Sequence, residues 1–462
     1  MLKITPCNTR FGRREFLRIG GLSLGGLAFP AMFPTLASAA AVRLATGKSV
    51  IFLFQHGGPS QIETFDPKMT AAAGIRSATG EIATKIPGVT FGATFSRLAA
   101  LADKLTIVRS FTTGDGNHDI KPVVGRDSGG ANLGTLYSRV VGANHPQTGM
   151  PTNAALFPRA VDPNREPAQK NFGNFESTGG LGAAFAPFVP GAGGDLQQDM
   201  QLAIPSERLG DRRTLLTELD RLRFALDASG RQDGLDRLRE QAFGTIMGGV
   251  AGAFDLSKED PRTVARYDTA SLMTPDQIDR KWANYKLYVD NVKTLGKLLL
   301  LARRLCEAGC GFVTVTTNFV WDNHADANNT GVVEGMRYCG VPLDHAVSAF
   351  LEDVEERGLS DKILLVCCGE MGRTPRLNNN GGRDHWGGLA PLLLAGGRLK
   401  MGQVIGQSTR DAGEPASEPV RISNLVSTIM HTLFDVGELR VTRGVPAEVL
   451  RAAAAEAIPG LI

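Results

Sequence analysis

Carboxylates and imidazoles recur in short segments of this sequence that follow apolar runs. Asp322 and His324 lie two residues apart, Asp384 and His385 are adjacent, and Glu370 comes just after an apolar run. Mixed carboxylate and imidazole ligands suit Zn²⁺ or Mn²⁺, whereas Ca²⁺ and Mg²⁺ prefer oxygen ligands. Taken singly, such an Asp-His pair is also typical of a helix cap or a turn. Together the five residues predict a divalent metal site holding one or two ions, with zinc favoured and manganese or calcium as alternatives.

The elements that must position these residues are strands buried on both faces. Short apolar runs of the kind found in such strands occupy residues 49–55, 105–108, 311–316, 362–368 and 390–395. Amphipathic helical patterns lie between them, at residues 290–307 and 343–357. This alternation predicts an α/β fold with a mostly parallel central sheet flanked by helices. Ligands bind beyond the carboxyl ends of such strands, so the polar segments should converge at that edge.

The pattern predicts a single α/β domain over residues 40–462 with one long insertion at about 162–250. Residues 162–205 are rich in Gly, Pro, Asn and Gln and predict irregular structure. Residues 212–240 are charged and helical, with a break near Gly230 that indicates a helical hairpin.

The amino-terminal segment has the three parts of a removable export signal. Arg13 and Arg14 precede a weakly apolar stretch, which ends at the small residues Ala37, Ser38 and Ala39. We therefore expect residues 1–39 to be a twin-arginine signal peptide, read by the twin-arginine translocase and removed in a periplasmic or otherwise exported protein. Its glycines and prolines make a poor spanning helix, so no stable membrane span is expected after cleavage. That export route carries folded proteins, which suggests a cofactor loaded beforehand.

Charge composition argues against nucleic acid as a partner. The whole chain carries a formal net charge of +3. Removing residues 1–39 takes away five basic side chains and one acidic side chain, which leaves a nearly neutral protein. A nearly neutral protein lacks the basic surface that bulk nucleic-acid binding requires.

Several longer motifs carry a resemblance to a known family. They are 56–68 (HGGPSQIETFDPK), 321–324 (WDNH), 369–375 (GEMGRTP) and 382–386 (GRDHW). The sequence resembles the uncharacterised family DUF1501 over nearly all of residues 48–440. That family is grouped with the alkaline-phosphatase-like superfamily, which includes phosphatases, sulfatases and cofactor-independent phosphoglycerate mutases. The resemblance implies one or two divalent metals at the carboxyl edge of the sheet and a nucleophile at a helix start.

The resemblance also implies roles for individual residues. Asp322 and His324 resemble the superfamily's Asp/His ligand segment, and His385, with Asp384, resembles its last histidine ligand. Glu370 falls where relatives place an Asp-His pair. The pattern is incomplete here, because Glu370 is followed by Met371 and because His56 replaces the usual carboxylate after the first strand.

The resemblance leaves the nucleophile open. Ser60 and Thr113 are the candidate nucleophiles, and His118 is the candidate catalytic histidine. Arg126 and Arg373 are the candidate groups for binding the anionic ester, because guanidinium pairs well with such oxygens.

Two functions are consistent with these residues. The first is an exported, metal-dependent hydrolase of phosphate or sulfate esters with a small anionic ester as substrate. The alternative is a catalytically inactive descendant of the fold that binds a ligand or partner, since a fold does not fix a function.

Overall fold

The computed structural model describes residues 43–191 and 250–462. The expected signal peptide, residues 1–39, and the expected helical hairpin, residues 212–240, lie outside the described residues. The part of the insertion that is described, 162–191, is irregular apart from one 3₁₀ turn.

Within the described residues, seven strands form the central sheet, and six short strands form three small pairs. The strands are β1 (Ser49–Phe54), β2 (Glu81–Ala83), β3 (Thr90–Gly92), β4 (Thr106–Val108), β5 (Phe111–Thr112), β6 (Asn153–Leu156), β7 (Phe312–Val315), β8 (Ile363–Cys368), β9 (Gly372–Arg373), β10 (His385–Trp386), β11 (Leu392–Gly396), β12 (Gln403–Ile405) and β13 (Val420–Arg421). The order in the central sheet is β12-β4-β11-β8-β1-β7-β6. The small pairs are β9 with β10, β5 with β13, and β2 with β3.

The central sheet is parallel except for β11. β1 pairs in parallel with β7 and β8, and β6 pairs in parallel with β7. β11 runs antiparallel to both of its neighbours, β8 and β4. The amino-terminal end of β11 therefore lies at the carboxyl edge of the other strands. The segment that precedes β11 lies at that edge as well.

The helices cover both faces of the sheet. The α-helices are α1 (Gln61–Thr64), α2 (Ser96–Ala100), α3 (Leu133–Val141), α4 (Ala251–Phe254), α5 (Pro261–Arg266), α6 (Tyr285–Glu307), α7 (Val332–Gly335), α8 (Val341–Glu356), α9 (Ile422–Leu433), α10 (Val436–Val441) and α11 (Ala447–Ala452). A π-helical stretch, Met336–Gly340, joins α7 to α8. Short 3₁₀ turns occupy Ala102–Lys104, Arg126–Ser128, Pro158–Ala160, Ala183–Phe185, Leu256–Lys258, Ala270–Leu272 and Pro275–Gln277. Among residues 43–191 and 250–462, no helix has the length and apolarity to cross a bilayer.

Alternate side chains of the same strand belong to two separate hydrophobic cores, one on each face of the sheet. In β1, Ile51 and Leu53 face the core that contains α6 and α8, whereas Val50, Phe52 and Phe54 face the core that contains α3 and α9. A strand with an apolar layer on each side needs apolar residues at every position, which explains the unbroken runs in the sequence. The predicted α/β fold with a mostly parallel sheet between helical layers is confirmed.

The expected strands and helices occur close to their expected bounds. Each of the five apolar runs contains a strand of the central sheet. The helix expected at 290–307 begins earlier, at Tyr285, and the helix expected at 343–357 is α8.

A partly buried ionic network joins the segment after residue 250 to the two long helices α6 and α8. Glu259 accepts hydrogen bonds from the guanidinium groups of Arg303, Arg304 and Arg357. Asp353 of α8 pairs with Arg303 at 2.9 Å and with Arg357 at 2.8 Å. Burial favours the neutral form of Glu259, but the three arginines outweigh it and lower its pKa to about 2.

Candidate metal centre

The polar segments predicted to converge do meet at the carboxyl edge of the sheet. Asp322 follows β7, Glu370 follows β8, and His118 follows the short strand β5. His385 lies in β10, in the segment that precedes β11. His385 reaches this edge because β11 runs antiparallel, so its leading end lies beside the trailing ends of β7 and β8.

Three ligand-type atoms form a compact triangle at the centre of this site. His118 Nε2 lies 3.0 Å from His385 Nε2, which lies 3.2 Å from Asp322 Oδ1. The third side, from His118 Nε2 to Asp322 Oδ1, is 3.5 Å. A circle through the three atoms has a radius of about 1.9 Å, just under the usual zinc-to-ligand distance of about 2.0–2.2 Å. The three atoms are therefore spaced as ligands of one transition-metal ion.

Glu370 orients the His118 ring by contacting Nδ1, the ring nitrogen that is not part of the triangle. Its Oε1 lies 2.9 Å from His118 Nδ1 and also accepts a hydrogen bond from the backbone N–H of Gly57. The Glu370 side chain is 0% exposed. With Nδ1–H donated to Glu370, His118 turns Nε2 toward the other two ligand atoms. Metal-binding histidines commonly donate their second ring nitrogen to a carboxylate in this way.

Glu370 and His118 make contacts other than those that their expected roles imply. Glu370 was expected to be a ligand, but its carboxylate is occupied by His118 and Gly57. His118 was expected to be a catalytic histidine and instead stands in the ligand triangle. Both residues lie at the site, Glu370 beside His118 and His118 beside Asp322.

Asp322 is the charged centre of the cluster. Its Oδ1 accepts a hydrogen bond from Arg373 at 2.7 Å and faces His118 and His385. Burial alone would raise the pKa of Asp322, but the histidine hydrogen bonds and the Arg373 charge hold that pKa well below its usual range. Asp322 is therefore a carboxylate at any ordinary pH.

His324 lies on the other side of the same carboxylate. Its Nε2 is 3.0 Å from Asp322 Oδ2, which also accepts from the Asn329 side chain at 3.0 Å. The hydrogen bond to Asp322 raises the pKa of His324 above its usual value. His324 thus contacts the cluster through Asp322 and lies outside the triangle.

The hydrogen bonding of the cluster is compatible with either a hydrogen or a metal ion between its atoms. Burial lowers the pKa of His118, but the hydrogen bonds to Asp322 and Glu370 outweigh that effect and raise it. A hydrogen on His385 Nε2 can be shared by His118 Nε2 and Asp322 Oδ1, which lie 3.0 and 3.2 Å away. The spacing of the three atoms equally suits a metal ion.

Arg373 is buried beneath the cluster, where its donors are taken by the protein. Its guanidinium donates to the carbonyl oxygens of Gly57, Gly58, Trp321 and Arg383 as well as to Asp322. Only 1% of the side chain is exposed. These contacts favour a role in holding Asp322 over the expected role in binding an anionic ester.

A second buried arginine braces the segment that carries His385. Arg383 pairs with Glu63 Oε1 through Nε at 3.0 Å and Nη2 at 2.8 Å. Its backbone N–H donates to the carbonyl oxygen of Asn323 at 3.1 Å. Arg383 therefore connects α1, which carries Glu63, to both ligand-bearing segments.

Gly57 permits the close packing of these loops. Its φ is +111°, in the left-handed region where glycine is favoured. A Cβ at this position would lie 2.5 Å from the backbone nitrogen of Asp322 and 2.8 Å from that of Trp321. Any side chain at residue 57 would push the Asp322 segment away from the cluster.

The remaining expected site residues do not join the ligand triangle. Ser60 caps α1, where its hydroxyl accepts from the backbone N–H groups of Ile62 and Glu63. Thr113 is buried, and its hydroxyl has no hydrogen-bond partner among the residues that the structure describes. Asp384 is exposed, and its carboxylate accepts from the Asn378 side chain.

Arg126 lies apart from the cluster as well. It is exposed and opens a 3₁₀ turn that packs against α11. The role of Arg126 in binding an ester stays a prediction. The roles of Ser60 and Thr113 as nucleophiles also stay predictions.

Sequence reasoning missed the bracing residues Glu63, Gln61 and Arg383. Gln61 exchanges hydrogen bonds with the backbone of Arg373, at 2.8 and 2.9 Å. Gln61 and Glu63 lie in the segment after β1, and Arg383 lies two residues before His385. The available signal for a supporting role was that all three are polar or charged residues inside the motifs at 56–68 and 382–386.

Comparison with known proteins gives one sequence match and weak structural similarities. A family model described as "Protein of unknown function (DUF1501)" matches residues 47–444. No curated protein matches the chain in sequence. The PsFucS1 sulfatase from Pseudoalteromonas sp. is 12% identical with a TM-score of 0.35, over 86% of this chain and 68% of that chain. The structure of Ps i-CgsB in complex with k-i-k-neocarrahexaose is 9% identical with a TM-score of 0.30, over 83% and 71%. At this level of similarity, neither structure bears on the activity of this chain.

Proposed function

The chain belongs to the DUF1501 family, and we propose that this member is a metal-dependent hydrolase of phosphate or sulfate esters. The observation that supports the proposal is the triangle of His118, Asp322 and His385 with Glu370 behind His118. A metal ion held by two imidazoles and one carboxylate would have further coordination positions for water and substrate. That partly filled ligand set is typical of catalytic metal sites, whereas structural zinc sites have four protein ligands.

The protein residues would hold the ion and keep it reactive. His118 and His385 supply neutral nitrogen ligands, which suit zinc, and Asp322 supplies one negative charge. A divalent ion held there would supply Lewis-acid activation of the ester and of an attacking water. Arg373 offsets part of the Asp322 charge and fixes its position, and Glu370 fixes the tautomer of His118.

The nucleophile that fits this geometry best is water. Ser60 uses its hydroxyl as a helix cap, and the Thr113 hydroxyl is buried with no hydrogen-bond partner within residues 43–191 and 250–462. A side-chain nucleophile requires a base within hydrogen-bond reach, and neither hydroxyl is paired with His118 or another imidazole in the described part of the chain. The same observation favours the second candidate function, a metal-binding protein without catalysis.

Metal content and activity together test the proposal. Full-length protein prepared without chelators is analysed for bound metals, then assayed on aryl phosphates, phosphodiesters and aryl sulfates with Zn²⁺, Mn²⁺, Ca²⁺ or Mg²⁺ added. We expect about one transition-metal ion per chain and turnover of at least one ester class that a chelator abolishes. Bound metal with no turnover would support the non-catalytic function, and absence of bound metal under all conditions would refute both.

We also propose export through the twin-arginine translocase to the periplasm. Its support is the sequence of residues 1–39 alone. Replacing Arg13 and Arg14 together by lysine should retain the precursor in the cytoplasm, and the exported form should begin at Ala40. An exported form that begins at Met1 would refute cleavage.

A further inference from the structure

Residues 165–175 of the insertion lie across the carboxyl edge of the sheet, beside the metal centre. Asp290 of α6 holds the start of this segment by accepting from the backbone N–H of Glu166 at 2.8 Å. Asn318, in the loop after β7, accepts from the N–H of Gln169 at 3.1 Å and donates to the carbonyl oxygen of Pro167 at 3.2 Å. The segment is therefore fixed to the sheet edge by buried side chains on two other elements.

This attachment brings Phe172 onto the loop that follows β7. Phe172 and Phe319 stack with ring centroids 4.5 Å apart and planes 26° apart. Phe319 is buried and Phe172 is half-buried, so Phe172 is the residue of this pair that is partly accessible to solvent. Both rings contact His118, at centroid distances of 5.2 Å for Phe172 and 4.7 Å for Phe319.

Further rings pack against the Phe172–Phe319 pair. His56 stands perpendicular to both rings, at 5.5 and 5.1 Å. Burial lowers the pKa of His56, so this imidazole is neutral near pH 7. Phe175 lies at the edge of His56, with a centroid distance of 6.1 Å. These residues form an apolar wall against one side of a metal ligand.

The other sides of the cluster are polar. Asp326 lies 3.7 Å from His324 on one side, and the exposed Asp384 precedes His385 on another. An apolar group attached to an ester at the metal centre would lose its favourable burial beside these carboxylates. It would retain that burial against Phe172.

We propose that Phe172 is a specificity-determining residue that receives a flat apolar ring of the substrate. This inference rests on the proposed function and deepens it, because it names the substrate class as an ester whose alcohol part presents such a ring. Small alkyl esters would reach the metal but would leave the Phe172 face uncovered.

Binding of two phosphonates tests this inference without requiring turnover. Phenylphosphonate and methylphosphonate carry the same anionic group, cannot be hydrolysed as esters, and differ only in the ring. Each is titrated calorimetrically into zinc-loaded full-length protein. We expect the wild type to bind phenylphosphonate about tenfold more tightly, the range that an aromatic contact supplies.

Variants of Phe172 locate the preference. Phe172→Ala and Phe172→Leu should lose most of it by weakening phenylphosphonate binding while methylphosphonate binding stays unchanged. The leucine retains apolar volume, so it protects the test against a folding defect of the alanine variant. Phe188→Ala is the matched control, because Phe188 is another half-buried phenylalanine of the insertion that pairs with the beginning of β6, at the opposite end of the strands.

The possible outcomes separate the two proposals. Equal affinity of the wild type for both phosphonates, or equal weakening of both by the Phe172 variants, would overturn the role of Phe172 and leave the metal hydrolase standing. If neither phosphonate binds to zinc-loaded wild type, the proposed function fails and the role of Phe172 fails with it.

Discussion

Replacing Glu370 by glutamine should weaken metal binding although Glu370 is not expected to touch the ion. Glutamine has the same shape and can still accept one hydrogen bond, so the fold should survive. The buried negative charge that holds His118 Nδ1–H at 2.9 Å is lost. His118 then becomes a weaker and less well oriented ligand.

The expected size follows from the contacts of Glu370. Removal of a carboxylate behind a metal-binding histidine costs about 10–100-fold in metal affinity. That range corresponds to about 1.4–2.7 kcal/mol of binding free energy. The Glu370 side chain is fully buried and faces His118 directly, so we expect the upper half of the range. His118→Ala removes a ligand and should have a larger effect.

Competition with a chelator measures these affinities. Zinc-loaded wild type, Glu370→Gln and His118→Ala are titrated with a chelator of known affinity at fixed pH. Asp344→Asn is the control, because Asp344 is also a buried carboxylate but accepts from the backbone N–H groups of Arg97 and Leu98, away from the cluster. Wild-type affinity in Glu370→Gln would refute the supporting role of Glu370, and wild-type metal content in His118→Ala would refute the ligand triangle.

Three further predictions concern His385, Glu63 and Glu259. His385→Ala should abolish metal binding while Asp384→Asn retains it, which metal analysis of the two purified variants would check; equal losses would place Asp384 among the ligands. Glu63→Gln leaves the fully buried Arg383 without its carboxylate, so we expect a loss of about 3–5 kcal/mol of unfolding free energy and weaker zinc binding, and an unchanged denaturation midpoint would contradict this. The pKa of Glu259 is lowered to about 2, so its contribution to stability is present above about pH 4.5 and is lost as the pH falls toward 2. Urea midpoints should therefore decline less over that interval in Glu259→Gln than in the wild type, and parallel declines would show that the ionic network does not account for it.

The sequence determined the layers of the fold and the edge at which the site lies. A strand buried on both faces must be apolar at consecutive positions, so the apolar run at 49–55 indicates a strand with a hydrophobic core on each face. The amphipathic spacing in residues 290–307 and 343–357 likewise shows which helices cover the sheet. Asp322 and His385 were predicted as ligands because each combines a ligand side chain with a position at the end of such an element.

Only the tertiary structure decided which polar side chains face one another. The contact between Glu370 and His118 joins loops 252 residues apart, so the sequence did not reveal which of the two side chains faces Asp322. Arg373 was expected to bind an anionic ester, but its guanidinium donors are used by the three segments at 57–58, 321–322 and 383.

The direction of β11 was equally hidden from the sequence. An apolar run has the same composition whether its strand runs parallel or antiparallel to its neighbours. The antiparallel direction brings His385 to the metal centre from before a strand, whereas Asp322 and Glu370 come from after one. Strand direction and side-chain convergence arise from contacts between separate segments of the chain, such as β11 with β4 and His118 with Asp322, so the local sequence does not contain them.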